Sequence, residues 1–252
     1  RECHCDGNRL FRREGSREAD PPGSGDGQVM RILIATGGSM EMTHALGQAI
    51  QAWKPERIIA ADSGLRHLAA LGLKPDILLG DMDSIDASLL QQAQAEGIQP
   101  QVYPSHKDET DTELAISVAR MQGGDDARIC LVGATGSRVD HTVANLHLLC
   151  RIAPYGEIWD GKSRLWIRQG PWEEEVSIPS WFDPRRTTYV SFLPFGGPVQ
   201  GVTLRGFEYP LTEYCMDAHA VIGTSNQLVE KSGRLSFQEG TLLCSMVQEE
   251  TD

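Results

Sequence analysis

From Arg31 onward, short apolar runs alternate with amphipathic stretches. Ile32-Leu33-Ile34-Ala35 reads as a buried strand, Gly37-Gly38-Ser39 turns the chain, and a helix is expected to about Trp53. Ile58-Ile59-Ala60-Ala61 is a second strand ending at Asp62. Leu65 to Leu71 is a short helix stopped by Gly72 and Pro75. Ile77-Leu78-Leu79 is a third strand. Ala87 to Glu96 is a helix with Gly97 at its end, and Val102-Tyr103 closes a fourth strand. A helix starts near Thr110, with Thr110 and Glu113 spaced as a reciprocal cap and Leu114, Val118 and Met121 on one face. Arg128 to Val132 is a fifth strand. The helix from about Asp140 to Cys150 presents Val143, Leu146 and Leu149 on one face, and Ile158-Trp159 is a sixth strand. Apolar strands alternating with such helices predict an open, mostly parallel α/β sheet with helices on both faces.

After about Lys162 the pattern changes. Leu165-Trp166-Ile167, Glu175 to Ile178, Tyr189 to Phe192, Val202-Thr203-Leu204, Ala220-Val221-Ile222 and Leu242-Leu243-Cys244 are short β-like runs punctuated by Gly and Pro. Lys231-Ser232-Gly233-Arg234 reads as a hairpin turn. The expected organisation is an α/β domain over residues 30–161 and a smaller antiparallel β-sandwich over residues 162–252. Residues 1–29 are rich in Arg, Glu, Asp, Gly and Ser, and are expected to be a disordered extension without a secretory apolar segment. Within them Cys3-His4-Cys5 is a possible but more often incidental metal-binding pattern.

Composition narrows the function. Acids outnumber Lys plus Arg by 35 to 23, a net charge of −12. That argues against nucleic acid as a partner and suits a cationic small molecule. No run approaches 18 apolar residues, so no membrane span is expected. The six cysteines are scattered, which suggests a reducing, cytoplasmic setting.

Four clusters then stand out, each after a predicted strand: Ala61-Asp62-Ser63-Gly64, Gly80-Asp81-Met82-Asp83-Ser84, Lys107-Asp108-Glu109-Thr110-Asp111, and Gly133 through Arg138 to Asp140-His141. In an open parallel sheet, ligands sit outside the carboxyl ends of the strands. Carboxylates gathered there repel one another unless a cation joins them, and a divalent metal with phosphates beyond it is the inferred occupant. Asp81 and Asp83 point apart if their loop is extended and converge if it turns. Either of Asp83 and Ser84, or Asp108 and Asp111, could instead serve a helix start. Lys107 could pair with acids or hold a phosphate. The loop Gly133-Ala134-Thr135-Gly136-Ser137-Arg138 and the loop Gly37-Gly38-Ser39 could each present backbone N–H groups to an anion. His141 is a candidate base, although a His in a first helical turn is more often structural.

Jointly, these elements resemble the thiamine pyrophosphokinase family. They match its Asp-Ser/Gly-Gly element at Asp62-Ser63-Gly64, its G-D-x-D-S at Gly80 to Ser84, its D-K-D-x-T-D at Lys107 to Asp111, its G-x-x-G-x-R-x-D-H at Gly133 to His141, and its late S-N at Ser225-Asn226. The resemblance spans about residues 31–247. It implies ATP- and Mg²⁺-dependent transfer of a pyrophosphoryl group to the hydroxyl of thiamine, releasing AMP, in a homodimer with thiamine between parts of different subunits. It places Asp81, Asp83, Asp108 and Asp111 in the catalytic set, with Asp81, Asp83 and Asp108 toward Mg²⁺. Asp62, Ser63, Gly64, Lys107, Thr110, Gly133, Gly136, Arg138, Asp140 and His141 fall on the ATP side, and Ser225 and Asn226 on the thiamine side. Two departures stand out: His106 precedes Lys107 where the family usually has Asp, and Cys244 stands where some relatives carry a Trp that stacks on thiamine. The residues alone leave open which Asp is ligand and which is base. They also leave room for a metal-dependent phosphohydrolase or a non-catalytic thiamine-binding module.

Overall fold

The computed structural model describes residues 29–103, 109–136 and 138–249. The extension up to residue 28, with Cys3-His4-Cys5, and the pair Lys107 and Asp108 lie outside them.

The strands β1 (Arg31–Ala35), β2 (Arg57–Ala61), β3 (Ile77–Gly80), β4 (Gln101–Val102), β5 (Arg128–Val132) and β6 (Gly156–Trp159) pair in parallel in the order β4-β3-β2-β1-β5-β6. The sheet does not stop there. β7 (Ser163–Gln169) adds antiparallel to β6, and β13 (Thr241–Gln248) and β9 (Thr188–Pro194) extend it to nine strands. A separate antiparallel sheet, β11-β10-β12-β8, is built from β8 (Trp172–Ser177), β10 (Val199–Arg205), β11 (Leu211–Met216) and β12 (Ser232–Phe237). The α/β part and the sandwich therefore share one continuous sheet.

Alternation along the strands sorts the core. Leu33 and Ala35 face the helices α1 (His44–Trp53), α2 (Leu65–Leu71) and α3 (Ala87–Ala95). Ile32 and Ile34 face α4 (Asp111–Gly123) and α5 (Val139–Ile152) on the other side. The first of these layers runs on into the sandwich, where Trp166, Phe192 and Met246 meet Val176, Leu204 and Leu235. The chain steps outward from β1 to β4, then returns to the far side of β1 as β5. The loops after β1 and β5 thus leave adjacent strands for helices on opposite faces, the arrangement that opens a ligand crevice.

Several local expectations give way to packing. Met121 is exposed, and α4 buries Ala115, Ile116, Val118 and Ala119 instead. Its two alanines let the helix lie close to β1 and β2. On α5 Val143 is exposed, while Asn145, Leu148, Leu149 and Ile152 are buried. Asn145 is accommodated because its side-chain amide donates to Ala134 O at 2.7 Å. Thr110 caps α4 by accepting from Glu113 N at 3.2 Å, but the Glu113 carboxylate pairs with Arg151 of α5. Ala220-Val221-Ile222 is not a strand: Val221 and Ile222 are exposed, and β11 is the strand in that region. Nor is Lys231 to Arg234 a hairpin turn. Gly233 lies within β12, where the Phe207 ring comes within 2.5 Å of the place a Cβ would take.

Candidate active site

The loops at the carboxyl ends of β1, β2, β3 and β5 form one rim. Asp62 begins a short 3-10 turn, Asp62–Gly64, directly after β2, and runs straight into α2. Its backbone is left-handed, φ 48°, as is that of Met82, φ 67°. Left-handed backbone is uncommon in residues other than glycine, and it clusters at functional sites. At Met82 it resolves the question left by the sequence. The loop turns, so that Asp83 N donates to Asp81 Oδ1 at 3.3 Å, and the two carboxylates converge.

Asp62, Asp81 and Asp83 each offer a carboxylate oxygen within 4.8 Å of the others'. Asp62 is only 9% exposed. Its Oδ1 is buried without a hydrogen-bond partner among the described residues. Burial pushes this carboxyl above its ordinary range. The Ser63 N–H it accepts opposes that rise, and the charges of Asp111, Asp81 and Asp83 add to it. A carboxylate with one buried, unpartnered oxygen, surrounded by like charges, is what a bound cation would satisfy. Three carboxylate oxygens are hard donors of the kind a small divalent ion takes, with water or phosphate oxygens completing its shell. The residues present therefore fit a divalent metal. Asp111, at the first position of α4, belongs to the same electrostatic group.

The two glycine loops lie side by side. Gly38 N donates to Gly133 O and Ser39 N to Thr135 O, each at 2.7 Å. Thr36 Oγ1 donates to Gly133 O at 2.5 Å. At Gly38 a Cβ would fall 2.2 Å from Thr135 O, so no side chain fits there. The Gly37-Gly38-Ser39 loop consequently spends two of its N–H groups on its neighbour. It braces the rim rather than offering those amides to an anion. The Gly133 loop carries left-handed glycines at Gly133, φ 65°, and Gly136, φ 141°, and leads into the N-terminus of α5. That is the better anion cradle of the two.

Arg138 grips Asp140 through two hydrogen bonds, Nε to Oδ1 at 3.0 Å and Nη2 to Oδ2 at 2.6 Å, on the open surface. The guanidinium holds the Asp140 carboxyl well below the usual carboxylate range. His141 is exposed in the first turn of α5, not a core residue.

Ser225 and Asn226 sit far along the chain, beside β9. Val190 and Asn226 form a bridge. The buried Asn226 side chain accepts from Tyr209 N at 3.0 Å and Gln227 N at 2.9 Å, and donates to Tyr209 O at 2.8 Å. The amide fixes the Tyr209 segment against this turn, while left-handed Ser225 (φ 55°) presents it. Cys244 is fully buried on β13 opposite Trp166 and Phe192, so it cannot be a stacking surface.

The sequence reading missed Asp160. It stands directly after β6, is 6% exposed, and accepts from Glu41 N at 3.1 Å and Lys162 N at 3.2 Å. Burial pushes its carboxyl up, against those two N–H groups. It ties the far end of the loop after β1 to the start of β7. A single acid after a short apolar run was the available signal, without a cluster around it.

Comparison with known proteins agrees with this architecture. Residues 50–158 match the family described as "Thiamin pyrophosphokinase, catalytic domain", and residues 175–242 match "Thiamin pyrophosphokinase, vitamin B1 binding domain". The chain is 31% identical to the thiamine pyrophosphokinase of Bacillus subtilis over 188 residues, 73% of this chain and 84% of that protein. The crystal structure of thiamine pyrophosphokinase from Bacillus subtilis superposes with a TM-score of 0.74 at 26% identity, covering 87% of this chain and 100% of that one. The thiamin pyrophosphokinase from Geobacillus thermodenitrificans does so with a TM-score of 0.71 at 32% identity, covering 88% and 99%. With both parts of the chain matched, and the carboxylates and glycine loops of the motifs gathered on one rim, this chain belongs to the thiamine pyrophosphokinase family.

Proposed function

We propose that the protein transfers the pyrophosphoryl group of ATP to the hydroxyl of thiamine, giving thiamine diphosphate and AMP. The observation that carries this reading is the convergence of the Asp62, Asp81 and Asp83 carboxylates, with one Asp62 oxygen buried and unpartnered among the described residues. We assign Mg²⁺ to that group, with Asp81 and Asp83 as ligands, Asp62 beside them, and Asp108 as a further candidate. Bound there, the ion would neutralise phosphate charge and polarise the phosphoryl oxygens.

The chain's own groups do the rest. The thiamine hydroxyl oxygen bonds to the β-phosphorus of ATP as the bond from that phosphorus to the α–β bridging oxygen breaks, and AMP leaves. A carboxylate takes the hydroxyl proton, and Asp108 and Asp111 are the candidates. Backbone N–H groups of Gly133 to Gly136 and the start of α5 receive phosphate, with Lys107 and Arg138 adding charge. Thr110 keeps Asp111 in place by capping α4. The excess of acids suits the positive thiazolium of thiamine. Ser225 is assigned to the thiamine side, and Asn226 to holding the turn that presents it. Residues 30–161 would carry the nucleotide chemistry, and residues 162–252 thiamine binding and self-association. Free thiols at Cys130, Cys150, Cys215 and Cys244 are in keeping with a reducing cytoplasm.

With ATP, Mg²⁺ and thiamine, the expected products are thiamine diphosphate and AMP in equal amounts, with no AMP formed when thiamine is left out. ADP together with thiamine monophosphate would rule out a one-step transfer, and phosphate release independent of thiamine would point to a hydrolase.

We also propose a symmetric homodimer. Tyr209, Val221, Ile222 and Val229 are exposed on segments joined through Asn226 and the Phe207–Leu228 bridge. Such a group of apolar side chains beside a substrate-side turn suits burial against a second copy. Light scattering should give twice the 27.7 kDa chain mass at assay concentration. An active species of single-chain mass would contradict the dimer.

A further inference from the structure

The carbonyl groups of the loop after β1 are captured by α2. Arg66 Nη2 donates to Gly37 O and to Gly38 O, each at 2.7 Å. His67 Nε2 lies 2.8 Å from Gly38 O. A carbonyl oxygen only accepts, so Nε2 carries the hydrogen. His67 is 8% exposed. Burial holds its imidazole below its ordinary range, aided by the charge of Arg66 and opposed by Asp160 and by the hydrogen bond to Gly38. The same ring closes on the neighbouring loop, since a Cβ at Gly133 would fall 2.7 Å from His67 Cδ2.

Two peptide planes of this loop are therefore held at both their oxygen and their N–H. The plane after Gly37 gives its oxygen to Arg66 and its N–H, at Gly38, to Gly133 O. The plane after Gly38 gives its oxygen to Arg66 and His67 and its N–H, at Ser39, to Thr135 O. Two peptide planes thus link α2 to the Gly133 loop. Because Asp62 is only three residues before Leu65, where α2 begins, they also link the carboxylate group to the anion cradle. The far end of the same loop is pinned by Asp160 through Glu41 N.

We propose that Arg66 and His67 are positioning residues for the metal–nucleotide complex: they set the spacing between Asp62 and the Gly133 loop, and turn the Gly37 and Gly38 oxygens away from the phosphates. This rests on the reading of the rim as a nucleotide site. Neither residue contacts the reacting atoms. A nucleotide that binds metal at the acids and phosphate at the loop feels their separation; thiamine, held from the Ser225 side, does not.

The test uses His67→Leu, which removes the donor and keeps bulk, His67→Gln, which restores an N–H near the Nε2 position, and Arg66→Met. Calorimetry with Mg²⁺ and a non-hydrolysable ATP analogue reads binding directly, and steady-state kinetics read KM for thiamine. His67→Leu and Arg66→Met should each weaken the analogue about tenfold, the loss expected for one or two hydrogen bonds to backbone carbonyls. His67→Gln should recover most of that, and KM for thiamine should stay within about twofold. Equal losses toward both substrates, a Gln variant no better than Leu, or an Arg66→Met protein that binds like wild type would each overturn the proposal. Should His67→Leu fail to fold, Arg66→Met carries the test, because that side chain is exposed. A wild-type protein that binds the analogue yet makes no thiamine diphosphate would refute the assigned reaction while leaving this comparison of binding intact.

Discussion

Asp62→Asn is expected to abolish most of the activity while leaving the metal-free protein as stable as before, or more so. The side chain keeps its size, and Asn tolerates the left-handed backbone at this position (φ 48°). What it loses is the charge that a divalent ion would use. Metal-based stabilisation of phosphoryl charge is worth several kcal/mol, so turnover should drop at least about a hundredfold. The stability effect has the opposite sign. The folded-state carboxyl of Asp62 lies above its ordinary value of 3.8, chiefly through burial. A group raised in this way favours folding while protonated, and that contribution is lost as pH rises through its folded value. At neutral pH, without metal, the Asp62 carboxylate is a net cost that Asn removes. Thermal melts at pH 7 in chelator should place Asp62→Asn at or above wild type. Added Mg²⁺ should raise the melting temperature of wild type and not of the variant. A variant that melts lower in chelator, or one that still responds to Mg²⁺, would remove Asp62 from the metal group.

The largest loss of stability is expected on the other side of the fold, at Arg168. Its side chain is 8% exposed and donates to Glu174 Oε2 at 2.9 Å, to Pro154 O at 2.6 Å and to Ile167 O at 3.1 Å. Its guanidinium also lies over the Trp172 ring at 5.1 Å. Beside it Glu157 accepts two hydrogen bonds from Arg164 and one from Trp159 Nε1. Arg168→Met leaves Glu174 beneath the sandwich edge with the Trp166 indole N–H but without its cation. Breaking a buried pair by removing one partner costs about 3–5 kcal/mol, on the order of 10 °C for a domain of this size. The double variant Arg168→Met, Glu174→Leu should regain much of that, since no charge is then stranded. A single variant that melts within about 2 °C of wild type would show that the pair is solvated and weak. Wild type should also weaken in acid through Glu157. Burial alone would raise its carboxyl, but Arg164 and the hydrogen bonds hold it below its ordinary 4.5. Its contribution is present above that value and is lost as pH falls through the lower, folded one.

These two sites differ in how openly the chain announced them. Asp62, Asp81, Asp83 and the Gly133 loop were legible because each follows an apolar run, and the ends of parallel strands share one rim whatever the details of packing. Leu165-Trp166-Ile167 reads as a short β-like run, and alternation puts Arg164, Trp166 and Arg168 on one face of it. In the structure that face turns toward β8, where Glu174 and Trp172 meet it. The partners are on another strand, so no local pattern could reveal them. His67 was hidden in the same way: within Leu65 to Leu71 it looks like one more polar helix residue, and its meaning depends on where the loop after β1 lies.

By itself the sequence determined the parallel α/β half, the change to β structure after Lys162, and the residues of the rim. Periodicity and strand-end chemistry are local, and they survive any arrangement that buries the apolar faces. The tertiary structure decided the rest. It turned Met82 left-handed so that Asp81 and Asp83 converge, rotated α4 and α5 so that Met121 and Val143 face outward, and buried Cys244 between neighbouring strands. It committed the Gly38 and Ser39 N–H groups to bracing rather than anion binding, because they find Gly133 O and Thr135 O first. A backbone amide has one hydrogen to give, and which acceptor lies within reach is set by residues almost a hundred positions away.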